Sequence, residues 1–292
     1  SSAARCLQWS RWIALSALGS ITLLAVTNHV CQEMSVSPIL WVVPLSLYLL
    51  TFIICFDRSV WYQPRVWSVL AVAAISATAL FGTEYFEDVA EFQDNVTGKV
   101  RSVFPEQFFD GIDARMEKAR ISLSLAAYDG DIVTETVLYV GTMFLICMIC
   151  HGELVRRKPE PQRLTSFYLA MATGGAVGGI FVAIVCTHLF SSYVETRVAL
   201  IAGFVLALYV FAQGTFYGRK VYWTLARYAL AAAAAPALFL IVDATSLSDG
   251  DLLIDQRRNF YGLLRVKVTE ADRSTDLGNA LYHGQTLHGF QY

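Results

Sequence analysis

The chain has 292 residues, of which 55% are hydrophobic and only 16% charged, with a formal net charge of −2. That balance leaves no basic patch for a polyanionic partner such as nucleic acid. Its six cysteines (Cys6, Cys31, Cys55, Cys147, Cys150 and Cys186) fall mostly inside or at the ends of apolar stretches, where they act as small apolar residues and not as a disulfide framework.

The dominant pattern is a series of long apolar stretches: Trp12 to Val30, Pro38 to Phe56, Val66 to Phe81, Ile132 to Cys150, Phe167 to Phe190, Val198 to Tyr217 and Tyr222 to Val242. Most reach the ~20 residues that cross a hydrocarbon core, and the third is the shortest. Trp12, Trp41, Tyr48, Trp67, Tyr168 and Tyr222 lie near span ends, where an interfacial aromatic belt sits. The expected fold is an all-α membrane protein, a polytopic bundle of about seven transmembrane helices with a short C-terminal β-hairpin segment. Arg5, Arg11, Arg58, Arg65, Arg156, Arg157, Lys158, Arg163, Arg219 and Lys220 fall on one side, while the short loops on the other carry only Arg197. The positive-inside rule puts the N-terminus in the cytoplasm, and an odd number of spans puts the C-terminal segment outside it.

Along the chain, polar residues gather first at the outer end of the first span, Thr27-Asn28-His29 with Gln32-Glu33, on the side where His188 closes the fifth. His29, Glu33 and His188 match no dense metal-ligand spacing, so no metal is assigned. Residues 84–131 form an extramembrane insertion, acidic at first and then carrying Phe104, Phe108, Ile112 and Met116 along one helical face. It reads either as a helix on the membrane surface or as a docking surface for another protein. Asn95-Val96-Thr97 is a glycosylation sequon that matters only in a eukaryotic secretory context.

At the inner end of the fourth span, Cys147-Met148-Ile149-Cys150-His151-Gly152-Glu153-Leu154 contains a Cys-x-x-Cys-His string. Haem attachment would require the other side of the membrane, so the expectation is a helix end capped by Gly152, with the basic residues after it at the headgroups. In the fifth span Gly174 with Gly178, and Gly175 with Gly179, form a flat small-residue face for close helix packing.

Residues 243–256 read as a polar linker. In 257–292, Leu264, Val266 and Val268 alternate with Arg265 and Lys267 as a strand with one buried face, and Asn279 to His283 read as its return. The tail thus looks like the opening of a domain that the chain does not complete, and its start, without Met, like the middle of a longer product. The expected organisation is a bundle over 1–242, a linker over 243–256 and a hairpin over 257–292.

Several of these segments together carry a resemblance. They are the run Arg11 to Val30, Pro38-Ile39-Leu40-Trp41-Val42-Val43-Pro44, Cys150-His151-Gly152-Glu153-Leu154, Leu164 to Leu169, Gly174 to Gly179, Asn259-Phe260-Tyr261-Gly262 and His283-Gly284-Gln285-Thr286-Leu287-His288-Gly289. In this order they resemble the bacterial membrane proteins described as fused major-facilitator-like and spermidine-synthase-like, over nearly the whole chain except Glu84 to Asp131. His29, His151, Gly152, Glu153, Tyr261, Gly262, His283, Gly284, His288 and Gly289 are the residues that carry it at polar or glycine positions. The resemblance implies a bacterial inner-membrane location, further spans upstream and a Rossmann-like domain downstream. Soluble spermidine synthases carry a Gln-Asp pair where this chain has Tyr261-Gly262. At their second site, an Asp-Gly followed by a Gln, it has His283-Gly284 and Leu287. No Gly-x-Gly nucleotide loop follows a strand here, so no catalytic residue and no cofactor are assigned.

Three functions follow as expectations. The first is a non-catalytic membrane scaffold or accessory subunit, contacting lipid and other membrane subunits through 84–131, the fifth span and the hairpin. The second is the membrane anchor of an aminopropyltransferase-like, polyamine-forming enzyme. The third is a small-molecule transporter, for which the chain shows no paired charge or broken helix near the midplane.

Overall fold

The computed structural model describes residues 2–34, 38–81, 132–213, 253–259, 262–270, 277–283 and 286–291. Helix α1 (Ser2–His29) runs into a widened turn at Val30–Met34, and is followed by α2 (Pro38–Asp57) and α3 (Pro64–Phe81). Helix α4 spans Ile132–Arg156, and α5 (Leu164–Ile180) continues through a widened turn at Phe181–Cys186 to Thr187–Leu189. Helix α6 covers Val194–Gln213.

Five of these segments are long and apolar enough to cross a membrane: Arg5–Gln32, Ile39–Asp57, Val133–Arg156, Pro161–Leu189 and Val194–Gln213. The apolar part of α3, Pro64–Ala79, is shorter. The seventh expected span, Tyr222 to Val242, and the insertion 84–131 lie outside the described residues.

Helices suit such sequences because each backbone N–H and C=O is satisfied within its own segment. Hydroxyls inside the bundle follow the same rule. Thr22 donates to the Leu18 carbonyl at 2.8 Å, Thr27 to Leu23 at 2.7 Å, Ser68 to Pro64 at 2.6 Å and Ser76 to Val72 at 2.8 Å. Each is a bond back to the preceding turn, which removes an unpaired polar group from an apolar setting.

Helix α1 is the hub, packed against α4, α5 and α6, while α3 packs on α4 and α6, and α2 mainly on α4. Near the arginine-rich end the core is Trp12, Leu15, Leu154, Phe167 and Ala170, with the Trp12 and Phe167 rings edge to face at 5.2 Å. A second cluster joins α1 to α4 through Val26, Val30, Val140, Met143 and Cys147. A third joins α3, α4 and α6 through Val72, Ile75, Ile146, Ile149, Leu200 and Phe204.

Glycines set the α1–α5 distance. A β-carbon on Gly174 would lie 2.4 Å from the Ile13 carbonyl oxygen, and one on Gly178 2.6 Å from that of Ala17. Both obstacles are backbone and cannot swing aside. Gly175 and Gly179 also look towards α1, but a β-carbon there would meet only side chains, Ser20 at 3.4 Å and Leu24 at 3.9 Å. Ser16 completes the seam by donating to the Met171 carbonyl at 2.7 Å.

The tail differs from the expected hairpin. Strands β1 (Leu253–Asn259), β2 (Gly262–Glu270), β3 (Leu277–His283) and β4 (Thr286–Gln291) form one antiparallel sheet in the order β1-β2-β3-β4. The strand β1 thus begins inside the stretch read as linker. Cross-strand pairs include Arg258 with Leu263, Val266 with Leu281, and Ala280 with Phe290. The expected buried face is also corrected. Leu263 and Ala280 are the buried positions, whereas Leu264 and Leu281 on the opposite face are each 38% exposed. The reason lies in β1, whose Gln256 and Arg258 side chains share the face of Leu263 and engage the helices, turning that face inward.

The glycine geometry yields a graded expectation. Gly174→Ala and Gly178→Ala should each destabilise the bundle by about 1–3 kcal/mol through overpacking. Gly179→Ala should change stability by no more than about 0.5 kcal/mol. Unfolding of each purified variant in mixed micelles measures the difference.

Candidate functional site: a buried histidine between two ion-paired ends

Three polar centres occupy the described bundle, one at each end and one inside. At the arginine-rich end, Glu153 is 1% exposed, although it carries a carboxylate. Arg156 donates from Nη1 to its Oε1 at 2.7 Å, Arg157 donates to its Oε2, and the Tyr62 hydroxyl donates to Oε1 at 3.0 Å. Two cations and a phenol around one carboxylate offset its desolvation, which a single partner rarely does. The Tyr62 phenol is pushed well above its ordinary value, first by burial and then by the charge and hydrogen bond of Glu153. Arg157 in turn presents its carbonyl to Trp12 Nε1 at 3.1 Å, tying α1 to this end of α4.

Gly152 makes this cluster possible, though not as a cap. Helix α4 continues past it to Arg156, which corrects the expected helix end. A β-carbon on Gly152 would lie 2.3 Å from the Tyr62 ring, so glycine is what lets the ring lie flat on α4 and reach Glu153.

At the opposite end, Glu195 in the first turn of α6 is fully buried and faces Arg258 of β1, whose side chain is 3% exposed. Arg258 donates from Nη1 to Glu195 Oε2 at 2.9 Å and from Nη2 to Oε1, a bidentate pairing. Its Nη1 also donates to the Ser192 carbonyl at 2.8 Å, and its guanidinium lies 4.4 Å from the centre of the Tyr193 ring. Burial alone would lower the pKa of Arg258, but its bonds to Glu195 and that carboxylate's charge outweigh this and hold it raised. Gln256 adds a bond to the Ser191 carbonyl at 2.7 Å. Tyr193 donates to Gln32 Oε1 at 2.6 Å and Thr196 to the Ala25 carbonyl at 3.2 Å, linking sheet, α6 and the end of α1.

The third centre is His151, fully buried on α4. Its Nδ1 lies 2.8 Å from Thr51 Oγ1, its ring stacks on Phe52 at 3.6 Å, and Tyr48 meets its edge at 5.0 Å. Thr51 spends its single hydroxyl proton on the Tyr48 carbonyl at 2.6 Å. It can therefore only accept from Nδ1–H, which fixes the neutral tautomer and leaves a lone pair on Nε2. Among the described residues, Nε2 is the buried side-chain N or O atom without a hydrogen-bond partner. A buried unmade hydrogen bond costs roughly 1–3 kcal/mol.

The other sequence candidates are dispersed. His29 packs against Tyr139 at 4.4 Å, and His188 Nδ1 lies 2.9 Å from the carbonyl of Ile184 in its own helix. The Glu33 side chain, Tyr261 and Gly284 lie outside the described residues. On the sheet, His283 and His288 have ring centres 5.8 Å apart. Gly262 has a φ of +142° and a missing β-carbon that would fall 2.5 Å from His283 Nε2, so two constraints require glycine there. Gly289 has open space around it. Cys147 and Cys150 are buried free thiols, with Cys147 Sγ 3.8 Å from the Gly19 carbonyl. The residues that sequence reasoning passed over are Tyr62, Thr51, Glu195 and Arg258. An acidic residue at the mouth of an apolar span was the available signal for Glu195.

No protein-family model, no curated protein and no solved structure matches the chain.

Tyr62→Phe removes a hydrogen bond to a buried carboxylate while keeping the ring over Gly152. It should lower stability by about 1.5–3 kcal/mol, the range for bonds to charged groups, as read from chemical unfolding in micelles.

Proposed function

We propose that the chain is an integral membrane scaffold whose helical bundle holds a small β-sheet firmly at one membrane face, without catalysis by its own residues. The observation that carries this reading is the Glu195–Arg258 pair, a fully desolvated bidentate contact between the first turn of α6 and β1. A sheet on a mere tether would keep both charges in water. Here both are withdrawn from it, which is tolerable only if the two parts stay together. The charges at the other end are likewise consumed within the chain, in the Glu153 cluster.

The arrangement of basic residues supports an extracytoplasmic sheet. Arg5, Arg11, Arg58, Arg65, Arg156, Arg157, Lys158 and Arg163 belong to helix ends and connections remote from Ser191, Ser192 and Glu195, where the sheet docks. Under the positive-inside rule the arginine-rich end is cytoplasmic. Helix α6 leaves its last described residue, Gln213, at that end, and β1 starts at the other. This supports reading the intervening apolar stretch, Tyr222 to Val242, as a further span in a bacterial inner-membrane protein. The lipid-facing surfaces of α2 and α5, with Ile39, Val42, Leu49 and Ile53 on one and Leu169, Val177 and Ile184 on the other, are exposed and apolar. They suit lipid or neighbouring membrane subunits.

The four-stranded sheet beyond the helices favours one other reading, the membrane anchor of an aminopropyltransferase-like enzyme, as the resemblance to spermidine-synthase-like fusions implies. The two are separated by assaying the purified chain for methylthioadenosine release from decarboxylated S-adenosylmethionine with an amine acceptor. The scaffold reading expects none, and release would replace it with the enzyme reading.

The anchor itself has a thermodynamic signature. Arg258→Met alone leaves Glu195 buried and unpaired, and should cost about 3–5 kcal/mol. Adding Glu195→Leu should recover most of that loss. In vesicles, a protease added from the outside should cut the sheet faster in the single variant than in the wild type or the double variant.

A further inference from the structure

The sheet has two faces, and Gln256, Arg258 and Leu263 turn one of them to the helices. The other carries Leu264, Val266 and Val268 on β2, with Leu281 across from Val266 on β3. Leu264 and Leu281 are exposed, beyond the helix ends. An aliphatic row held there favours a further layer packed on it. The chain itself supplies a candidate. Strand β2 rests on the widened turn at Val30–Met34, Val30 packs with Val140 of α4, and His29 meets Tyr139 of the same helix at 4.4 Å. The start of α4, at Ile132, therefore lies at the end of the bundle where the sheet docks. Helix α3 finishes there too, since Thr78, near its end at Phe81, meets Thr142 of α4 at 2.7 Å. Residues 82–131 thus leave and re-enter the bundle beside the sheet.

We propose that the outward face of the sheet is a docking surface, and that its occupant is residues 104–116 of this chain's own insertion, laid as an amphipathic helix along β2. The sequence carries the fit. Phe104, Phe108, Ile112 and Met116 recur every four residues, which is about 6 Å of helix rise. Leu264, Val266 and Val268 recur every two residues, which is about 6.6 Å along a strand. The two apolar rows therefore run in step. Glu106, Asp110, Asp113 and Glu117 fall on the other side of the same helix. An acidic face argues against a lipid surface as the occupant's partner, because helices that lie on membranes carry Lys and Arg there and draw on anionic headgroups. Chain length permits the contact, since residues 117–131 alone reach on the order of 50 Å when extended. The docking rests on the attachment of the sheet through Glu195 and Arg258, and not on the absence of catalysis.

Photo-crosslinking from the apolar row of the insertion tests this in the full chain, reconstituted in lipid nanodiscs. Phe108→p-benzoylphenylalanine places a reactive ketone on that row, and the products are sized on a denaturing gel and mapped by mass spectrometry. The expected adduct joins position 108 to residues 264–268 or 277–283 within one chain. The same group at Asp113, on the acidic face, should give only background. Adducts to lipid alone put the helix on the membrane, and sheet adducts at doubled mass put a second copy on the sheet. Either result overturns the proposal, as does the lack of any sheet adduct. Val266→Asp sets a charge in the row and should cut the adduct from position 108 about fivefold or more, because docking would bury that charge unpaired. An unchanged yield in this variant also overturns the docking. A cysteine pair, Ser191→Cys with Gln256→Cys, reports through its disulfide whether the sheet itself stays attached. Loss of the helix contact is thereby told apart from loss of the sheet anchor.

Discussion

The close approach of α1 and α5 is the constraint on which the rest of the bundle depends. Two backbone carbonyls, those of Ile13 and Ala17, lie where side chains at Gly174 and Gly178 would stand. With α5 that near, α1 can be enclosed by α4 and α6 on its other sides, and Trp12 can be buried against Phe167 at one end. In a lipid setting there is little hydrophobic force between apolar helices, so dispersion over a close, well-shaped contact must do this work. Once α1 is central, Gly19, Ser20 and Ala25 lie within reach of α4, α2 and α6, and the internal polar contacts have somewhere to form.

Polar groups inside this frame fall into three kinds, sorted by how completely they are satisfied. Some serine and threonine hydroxyls, those of Thr22, Thr27 and Ser76 among them, return to the carbonyls of their own helices, while Ser16 and Thr196 reach a carbonyl of a neighbouring helix. Glu153 is held by two arginines and a phenol and Glu195 by the bidentate guanidinium of Arg258, so each ends as a neutralised anchor, one joining the connection after α2 to α4 and one joining the sheet to α6. His151 is only half satisfied. The difference is chemical: a carboxylate surrounded by donors has no capacity left to offer, whereas an imidazole committed through one nitrogen retains a directed lone pair on the other.

The sheet owes its orientation to the same economy of charge. Its strands carry an apolar row, Leu264, Val266 and Val268, that alternation alone would send inward. The opposite row contains Arg258, which meets Glu195 at the bundle end through both guanidinium nitrogens. The bidentate pair holds that face against the bundle, with Tyr193 covering the guanidinium and Leu263 buried across the strands from Arg258. The apolar row is left partly open, with Leu281 across from Val266.

What the sequence by itself determined is what depends on local composition. Apolar runs of membrane length set the helices, the spacing of Lys and Arg separated one end from the other, and the four-residue glycine repeat marked α5 as a packing helix. The strand alternation in 264–268 and the return at 279–283 were legible for the same reason, since a period of two is written in neighbouring residues. Tertiary structure alone decided which groups met. Tyr62 and Glu153, Thr51 and His151, and Glu195 and Arg258 are separated by 91, 100 and 63 residues, and no local pattern pairs them. It also decided that Gly152 is a seat for an aromatic ring and not a helix cap, because that role is defined by a residue on another segment. The inward face of the sheet was settled the same way, by a long-range ion pair whose two partners no local pattern joins.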